Sequence, residues 1–242
     1  MNVKDIVLKT ISSKDANKVI KSFHYSGKVV PNSKLHFGVF LDDKCAGAMQ
    51  FGPSMRKDLM MPMVSGTKWN EFIELNRMAF ADWLPRNSES RCIAMAVKLI
   101  KKHYPHIKWI VSFADGCQCG DGTIYRASGF YLVGIKKNTE LKINPRTGET
   151  MATMAAYHQG YASEISTWDS LVGHMFKYIY FIDKECKDKL TIPIIPFSKI
   201  QELGVGMYKG KKITRVTKAN SGDQLESGGA IPTHTLQLKK VV

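Results

Sequence analysis

The fold is decided by residues 74–134, which run ELNRMAF (74–80), LPRNSESRCIAMAVKLIKKHYP (84–105), IKWIVSFADG (107–116) and GTIYRASGFYLVG (122–134). The order reads strand, basic turn, helix, strand, Gly-rich loop, short helix, strand. Between Ser90 and His103 the residues Ile93, Ala96, Val97 and Ile100 fall on one helical stripe, and Pro105 ends the helix. Trp109 to Ala114 is wholly apolar, as a central buried strand is. Gly116 to Gly122 is a loop, and Thr123 to Ser128 a short helix closed by Gly129. A helix opening just after Arg86-Asn87-Ser88 offers backbone N–H groups to an anion, with Asn87 or Ser88 as its N-cap and the Arg86 fork beside it. Such an order suits an enzyme that holds a phosphorylated carrier and does chemistry beside it.

Outward from this stretch, residues 3–9 read as an edge strand and Ser13–Phe23 as a helix capped by Ser13. Leu35–Leu41 and Cys45–Phe51 flank Asp42-Asp43-Lys44 as a hairpin. Residues 52–68 are Met-rich and read as a surface loop, a lid or core filler. Residues 138–170 are polar and mixed and carry no element assignment, and Phe176–Ile182 is a late strand. From Lys187 the chain turns basic and rich in Gly and Pro. We therefore expect a catalytic domain over 1–186 and a basic extension over 187–242, packed on the domain or reaching from it. The fold class is mixed α/β (α+β): a central sheet flanked by helices.

The formal charge is +14, from 35 Lys and Arg against 21 Asp and Glu. An excess of this size favours a polyanion, most simply nucleic acid. The densest run is Tyr208 to Arg215, in which Lys209, Lys211, Lys212 and Arg215 suit a phosphate backbone. The five cysteines are scattered, and no apolar run has signal-peptide or membrane length. The expectation is a cytoplasmic protein with reduced thiols. Cys117 and Cys119 lack the second pair that structural zinc needs, and read as a loop dithiol.

Three further sites invite chemistry. His24 and Tyr25 follow the first helix in a polar loop, as a base or ligand or as a pair packed at the loop edge. Asp115 ends the buried strand, where side chains of open sheets point into the crevice; the alternative is an ordinary Asp-Gly turn. Tyr125 stands four residues before Gly129-Phe130.

The order of elements resembles the acetyl-CoA-dependent N-acetyltransferase superfold. There the turn before the helix grips the cofactor pyrophosphate, and the next strand splays to admit the pantetheine arm. A Tyr placed as Tyr125 is here protonates the departing thiolate. The usual glycine-rich turn is replaced by PRNSES. Together HYSG (24–27), ELNRMAF, LPRNSES, SFADG (112–116), GDGTIYRASGF (120–130) and the late YIYF strand resemble the Mom family of phage DNA-modification proteins, over residues 15–185. That resemblance implies modification of adenine N6 in double-stranded DNA by a methylcarbamoyl-type group, and escape from host restriction. It implies acetyl-CoA as donor, bound by Arg86, Asn87 and Ser88, with His24, Tyr25, Asp115 and Tyr125 as catalytic residues. It extends to iron, for which His24, Tyr25 and Asp115 are the candidate ligands. The competing readings are an N-acetyltransferase of protein, RNA or a small amine, and a non-catalytic DNA-binding protein on the same fold.

Overall fold

The computed structural model describes residues 2–203 except 119 and 172, together with the backbone of 206–208 and 211–213. Strand β1 (Val7–Thr10) is followed by α1 (Ser13–Phe23) and the hairpin β2 (Leu35–Leu41) and β3 (Lys44–Gly52). A short α2 (Lys57–Met60) precedes β4 (Phe72–Phe80), α3 (Ser88–His103) and β5 (Trp109–Asp115). Then come α4 (Thr123–Ala127), β6 (Tyr131–Lys137), β7 (Leu141–Ile143), β8 (Thr150–Ala152) and α5 (Thr153–His158). The strand β9 (His174–Phe181), α6 (Ser198–Glu202), β10 (Gly206–Tyr208) and β11 (Lys211–Ile213) complete the order.

Seven strands form one sheet in the order β1-β2-β3-β4-β5-β9-β6. Every pair is antiparallel except β4–β5. The late strand β9 inserts between β5 and β6. This is the mixed, acetyltransferase-like α/β sheet expected from the sequence. Neighbouring β3 residues Ala48 and Met49 point to opposite faces. Ala48 and Ala79 pack with Ala16 and Ile20 of α1. Met49 packs instead with Ile93, Ala96 and Ile100 of α3. The two helices therefore cover opposite sides of the sheet.

Local chemistry explains most boundaries. In the β2–β3 hairpin, Asp42 and Asp43 both adopt positive φ (50° and 59°), which matches the turn to the twist of its strands. The cap of α1 is Ser12 rather than Ser13: its Oγ accepts the Asp15 N–H at 3.1 Å and donates to the Asp15 carboxylate at 2.7 Å. The Met-rich stretch is mainly filler. Met60, Met63 and Val64 are buried with Phe72 and Trp109, while Met55 is exposed.

Residues 187–203 wrap the domain. Thr191 bonds the Met63 carbonyl, Ile195 N–H bonds Leu132, and Ile195, Phe197 and Ile200 pack on the main core. Residues 138–171 fold into a small lobe around Met151, Ala156, Ile165 and Trp168. Among the described residues no helix is long and apolar enough to cross a membrane.

Candidate active site

The sheet has a split at its centre. β4 and β5 pair from Phe72↔Trp109 to Leu75↔Ser112 and no further, although β4 continues to Phe80 and β5 to Asp115. Ser112 Oγ closes the last step, donating to the Leu75 carbonyl at 3.2 Å. Beyond it β4 follows β3 and β5 follows β9. The cause is local: the β3–β4 register shifts between Gln50 and Phe51, leaving Asn76 as a bulge that bends β4 away.

The bulge is held by a buried polar cluster. Ser33 Oγ donates to Asn76 Oδ1 at 3.1 Å. Gly52 lets the 32–33 backbone approach: a Cβ there would lie 2.6 Å from the Asn32 carbonyl oxygen and 2.7 Å from Asn76 Oδ1. Glu74 is half-buried and takes side-chain hydrogen bonds from Ser54 and Asn76. Burial raises its pKa above the usual carboxylate value, and those two bonds and Arg77 oppose the rise. Arg77 is pinned by its Nε to the Lys28 carbonyl (3.1 Å) and by Nη1 to the Asn76 carbonyl (2.8 Å). Gln50, fully buried under α1, donates to Asn17 Oδ1 at 2.8 Å. None of these residues was expected to form part of a site. The signal was there: Glu, Asn and Arg interrupt a strand that is otherwise apolar.

His24 caps the end of α1, its N–H bonding the Ile20 carbonyl at 2.9 Å. Its Nδ1 accepts the Ser26 N–H at 3.2 Å and lies 2.8 Å from Ser26 Oγ. Burial, and then the Arg77 charge, pull its pKa down to about 4. The ring is therefore neutral at neutral pH. With Nδ1 accepting, the proton sits on Nε2, so His24 offers a hydrogen-bond donor rather than a free base. Tyr25 packs on it in a tilted arrangement, 4.3 Å between centroids, and is 42% exposed.

Across the split, Asp115 is buried and both carboxylate oxygens hold its own turn: Oδ1 accepts the Cys117 N–H (2.9 Å) and Oδ2 the Gln118 side chain (2.7 Å). The turn is anchored further by Cys117, which is fully buried against Leu171 of the small lobe. Cys119 lies outside the described residues. Tyr125 rides on α4 and packs its ring on Phe130 (5.3 Å) and Tyr178 (5.2 Å). Tyr178 in turn donates its hydroxyl to the Asp121 carbonyl, and burial raises its pKa. His24 and Arg77 thus stand on the α1 side and Tyr125 on the α3–α4 side, with the split between them.

At the start of α3, Asn87 takes the left-handed conformation (φ 70°, ψ 12°) and its side chain makes no capping bond. Asn tolerates that region best after Gly, so Asn87 can hold a left-handed turn here without a glycine. Ser88 is buried and bonds the Pro85 carbonyl, so its hydroxyl faces inward. The first turn is left without a side-chain cap, while Arg86 is exposed beside it. A groove of about 440 Å³ opens along this end of the helix. Asn87, Ser90, Arg91 and Lys98 supply polar and cationic groups, with Ala127 of α4 and Ser128 just after it opposite.

The iron expectation meets a poor fit. Among the described residues no three His, Cys, Asp or Glu side chains gather. His24 Nδ1 and both Asp115 oxygens are already engaged within their own loops. Of the basic run, Lys209 and Arg215 lie outside the described residues. Lys211 and Lys212 sit on β11, which pairs with β10 as a hairpin.

Residues 5–199 match the Mom protein family. Over 195 residues the chain is 34% identical to the methylcarbamoylase Mom of Escherichia phage Mu, covering 78% of this chain and 80% of that protein. Among solved structures, an N-acetyltransferase from Staphylococcus aureus Mu50 superposes with a TM-score of 0.44 at 11% identity, over 74% of this chain and 99% of that one. An IAA acetyltransferase from Bacillus cereus ATCC 14579 gives 0.43 at 11% identity, over 73% and 99%. The fold assignment rests on the strand order and the split themselves.

Proposed function

The chain belongs to the Mom protein family, and from that premise we propose that it is a transferase that modifies N6 of adenine in double-stranded phage DNA with carbon drawn from acetyl-CoA. The modified DNA would then resist host restriction. The observation that carries the reading is the central split, open between two half-sheets and leading to an uncapped helix end.

The thioester arm would enter the split from the α3–α4 side. Its pyrophosphate would lie on the first-turn N–H groups of α3, beside Arg86 and Asn87, with Ser88 shaping the turn from within. Arg91 and Lys98 in the groove complement the remaining phosphate charge. Tyr125 would give its proton to the departing thiolate. The adenine would approach from the α1 side, where His24 Nε2–H and Tyr25 contact the base and Asp115 orients the exocyclic amine. Extracting a paired adenine costs a few kcal/mol and calls for a surface that grips the flanking phosphates. The +14 charge, with Lys209, Lys211, Lys212 and Arg215, suits that role. No step is routed through iron, because these residues do not fit it.

A methylcarbamoyl group contains a nitrogen that acetyl lacks, so the product's mass separates the two outcomes. DNA co-expressed with the protein should carry a heavier adenosine by nucleoside mass spectrometry, and Asp115→Ala should remove it. Unmodified nucleosides from a folded, expressed protein would refute the reading. Acetyl-CoA turnover without any DNA requirement would favour an N-acetyltransferase of another amine.

A further inference from the structure

Building on that reading, we infer that Glu74 is the base that accepts the proton leaving adenine N6. The exocyclic amine of adenine is a weak nucleophile, because its lone pair is delocalised into the ring. As nitrogen bonds to the thioester carbonyl carbon, the C–S bond breaks with its electron pair leaving on the thiolate that Tyr125 protonates, and one N6–H bond breaks. The N–H electron pair stays on nitrogen, and the proton must find an oxygen or nitrogen lone pair nearby.

Two candidates from the sequence are engaged in their own loops. His24 accepts at Nδ1 from Ser26 and carries its proton on Nε2, so its outward nitrogen has no lone pair to offer. Asp115 is buried, and the Cys117 N–H on one oxygen and the Gln118 side chain on the other hold it within its own turn. Glu74 is placed differently. It lies on β4 opposite Val111, one step before the last β4–β5 pair, and therefore at the closed end of the split. Phe72 belongs to the cluster opposite α3 while Ile73 and Leu75 join the α3 side. Alternation puts Glu74 on the same face as Phe72, the face that α1 covers next door.

Ser54 and Asn76 favour the charged form of the Glu74 carboxylate by hydrogen bonding, and a carboxylate has acceptor sites for more than two donors. Arg77 is the charged group acting on it, from the same strand; β3 offers only Gly52 opposite, and β5 offers Val111. Burial sets the carboxyl above the ordinary range, closer to neutrality, where a base is most effective.

The test compares the wild-type chain with Glu74→Gln on plasmid DNA and acetyl-CoA, scoring modified adenosine against pH. The wild-type rate should fall on acidification as Glu74 protonates, along a limb above the usual carboxylate range. Glu74→Gln should lower the rate by roughly 100-fold or more and erase that limb, with the acetyl-CoA KM unchanged and Glu74→Asp recovering part of the rate. Ser54→Ala removes a bond that favours the charged form, so it should move the limb upward while leaving the carboxylate in place. Near-wild-type turnover in Glu74→Gln, or a limb that ignores both substitutions, overturns the inference. Absence of modified adenosine with the wild-type chain would instead refute the function on which it rests.

Discussion

Gly122→Ala is the sharpest test of how the Tyr125 arm is positioned. Gly122 opens α4 at φ +78°, and a Cβ there would lie 2.5 Å from Tyr178 Cε2 and 2.8 Å from its Cζ and Oη. The left-handed conformation costs an L-residue about 1–2 kcal/mol. Overpacking adds about 1–3 kcal/mol, because Tyr178 is fully buried and tied to the Asp121 carbonyl. The sum, about 2–5 kcal/mol, is a large share of the roughly 5–15 kcal/mol that holds a domain folded. For a domain of this size it corresponds to a fall in Tm of roughly 4–20 °C. Relief can come only by displacing Tyr178 or α4, and Tyr125 stacks on the one and belongs to the other. Acetyl-CoA turnover should therefore fall with stability. The assay is urea unfolding with initial rates, repeated in a Tyr178→Leu background that vacates the clash. There the alanine should cost at least about 1 kcal/mol less than in wild type. A loss below about 1 kcal/mol in the wild-type background, with turnover intact, would refute the steric argument.

Other expectations follow from named contacts. Tyr178→Phe keeps the ring and strands the Asp121 carbonyl, which should cost about 1–3 kcal/mol by denaturant unfolding. His24 has a folded pKa of about 4 against an unfolded value of 6.5, so the unfolded chain binds the extra proton between them. Stability should then rise with pH through that window and fall on acidification from 6.5 towards 4, by at most about 3 kcal/mol since the ring is only partly desolvated. His24→Asn should flatten the dependence in urea midpoints measured against pH. At Asn87, Gly should preserve fold and acetyl-CoA affinity. Val at the left-handed position should cost about 1–2 kcal/mol and weaken acetyl-CoA binding by calorimetry.

Features encoded by local pattern were legible in the sequence. The apolar run at Trp109, the stripe on α3, the Asp-rich hairpin and Gly129 (φ +82°) each follow from residues within a few positions of one another. Pairing across strands was not legible. ELNRM reads as plain β4, and its bulge exists only because β3 sits against it out of register. That hid Glu74, Asn76 and Arg77 as a site. The left-handed Asn87 was invisible for a similar reason, since a glycine was sought where another residue adopts the glycine conformation. The lobe at 138–171 defied periodicity because polar side chains organise it. Asn138 accepts the N–H groups of Glu140 and Leu141, and Asn144 those of Arg146 and Thr147. Asp115 ends β5 as the sequence placed it, but how its oxygens are spent depends on a loop whose path the sequence does not reveal.

The split has a consequence for what can bind and what cannot. Strands at the rim of a sheet are liabilities, because any extended chain can add to their open backbone groups. Here β4 beyond Leu75 and β5 beyond Ser112 are rims turned inward, each with a neighbour on one side only. A protein strand added there would bring side chains to both faces, whereas the slender thioester arm proposed above would bring only amides to the open backbone groups. Selection by slenderness would let the fold keep two unfinished edges without inviting its own kind to complete them.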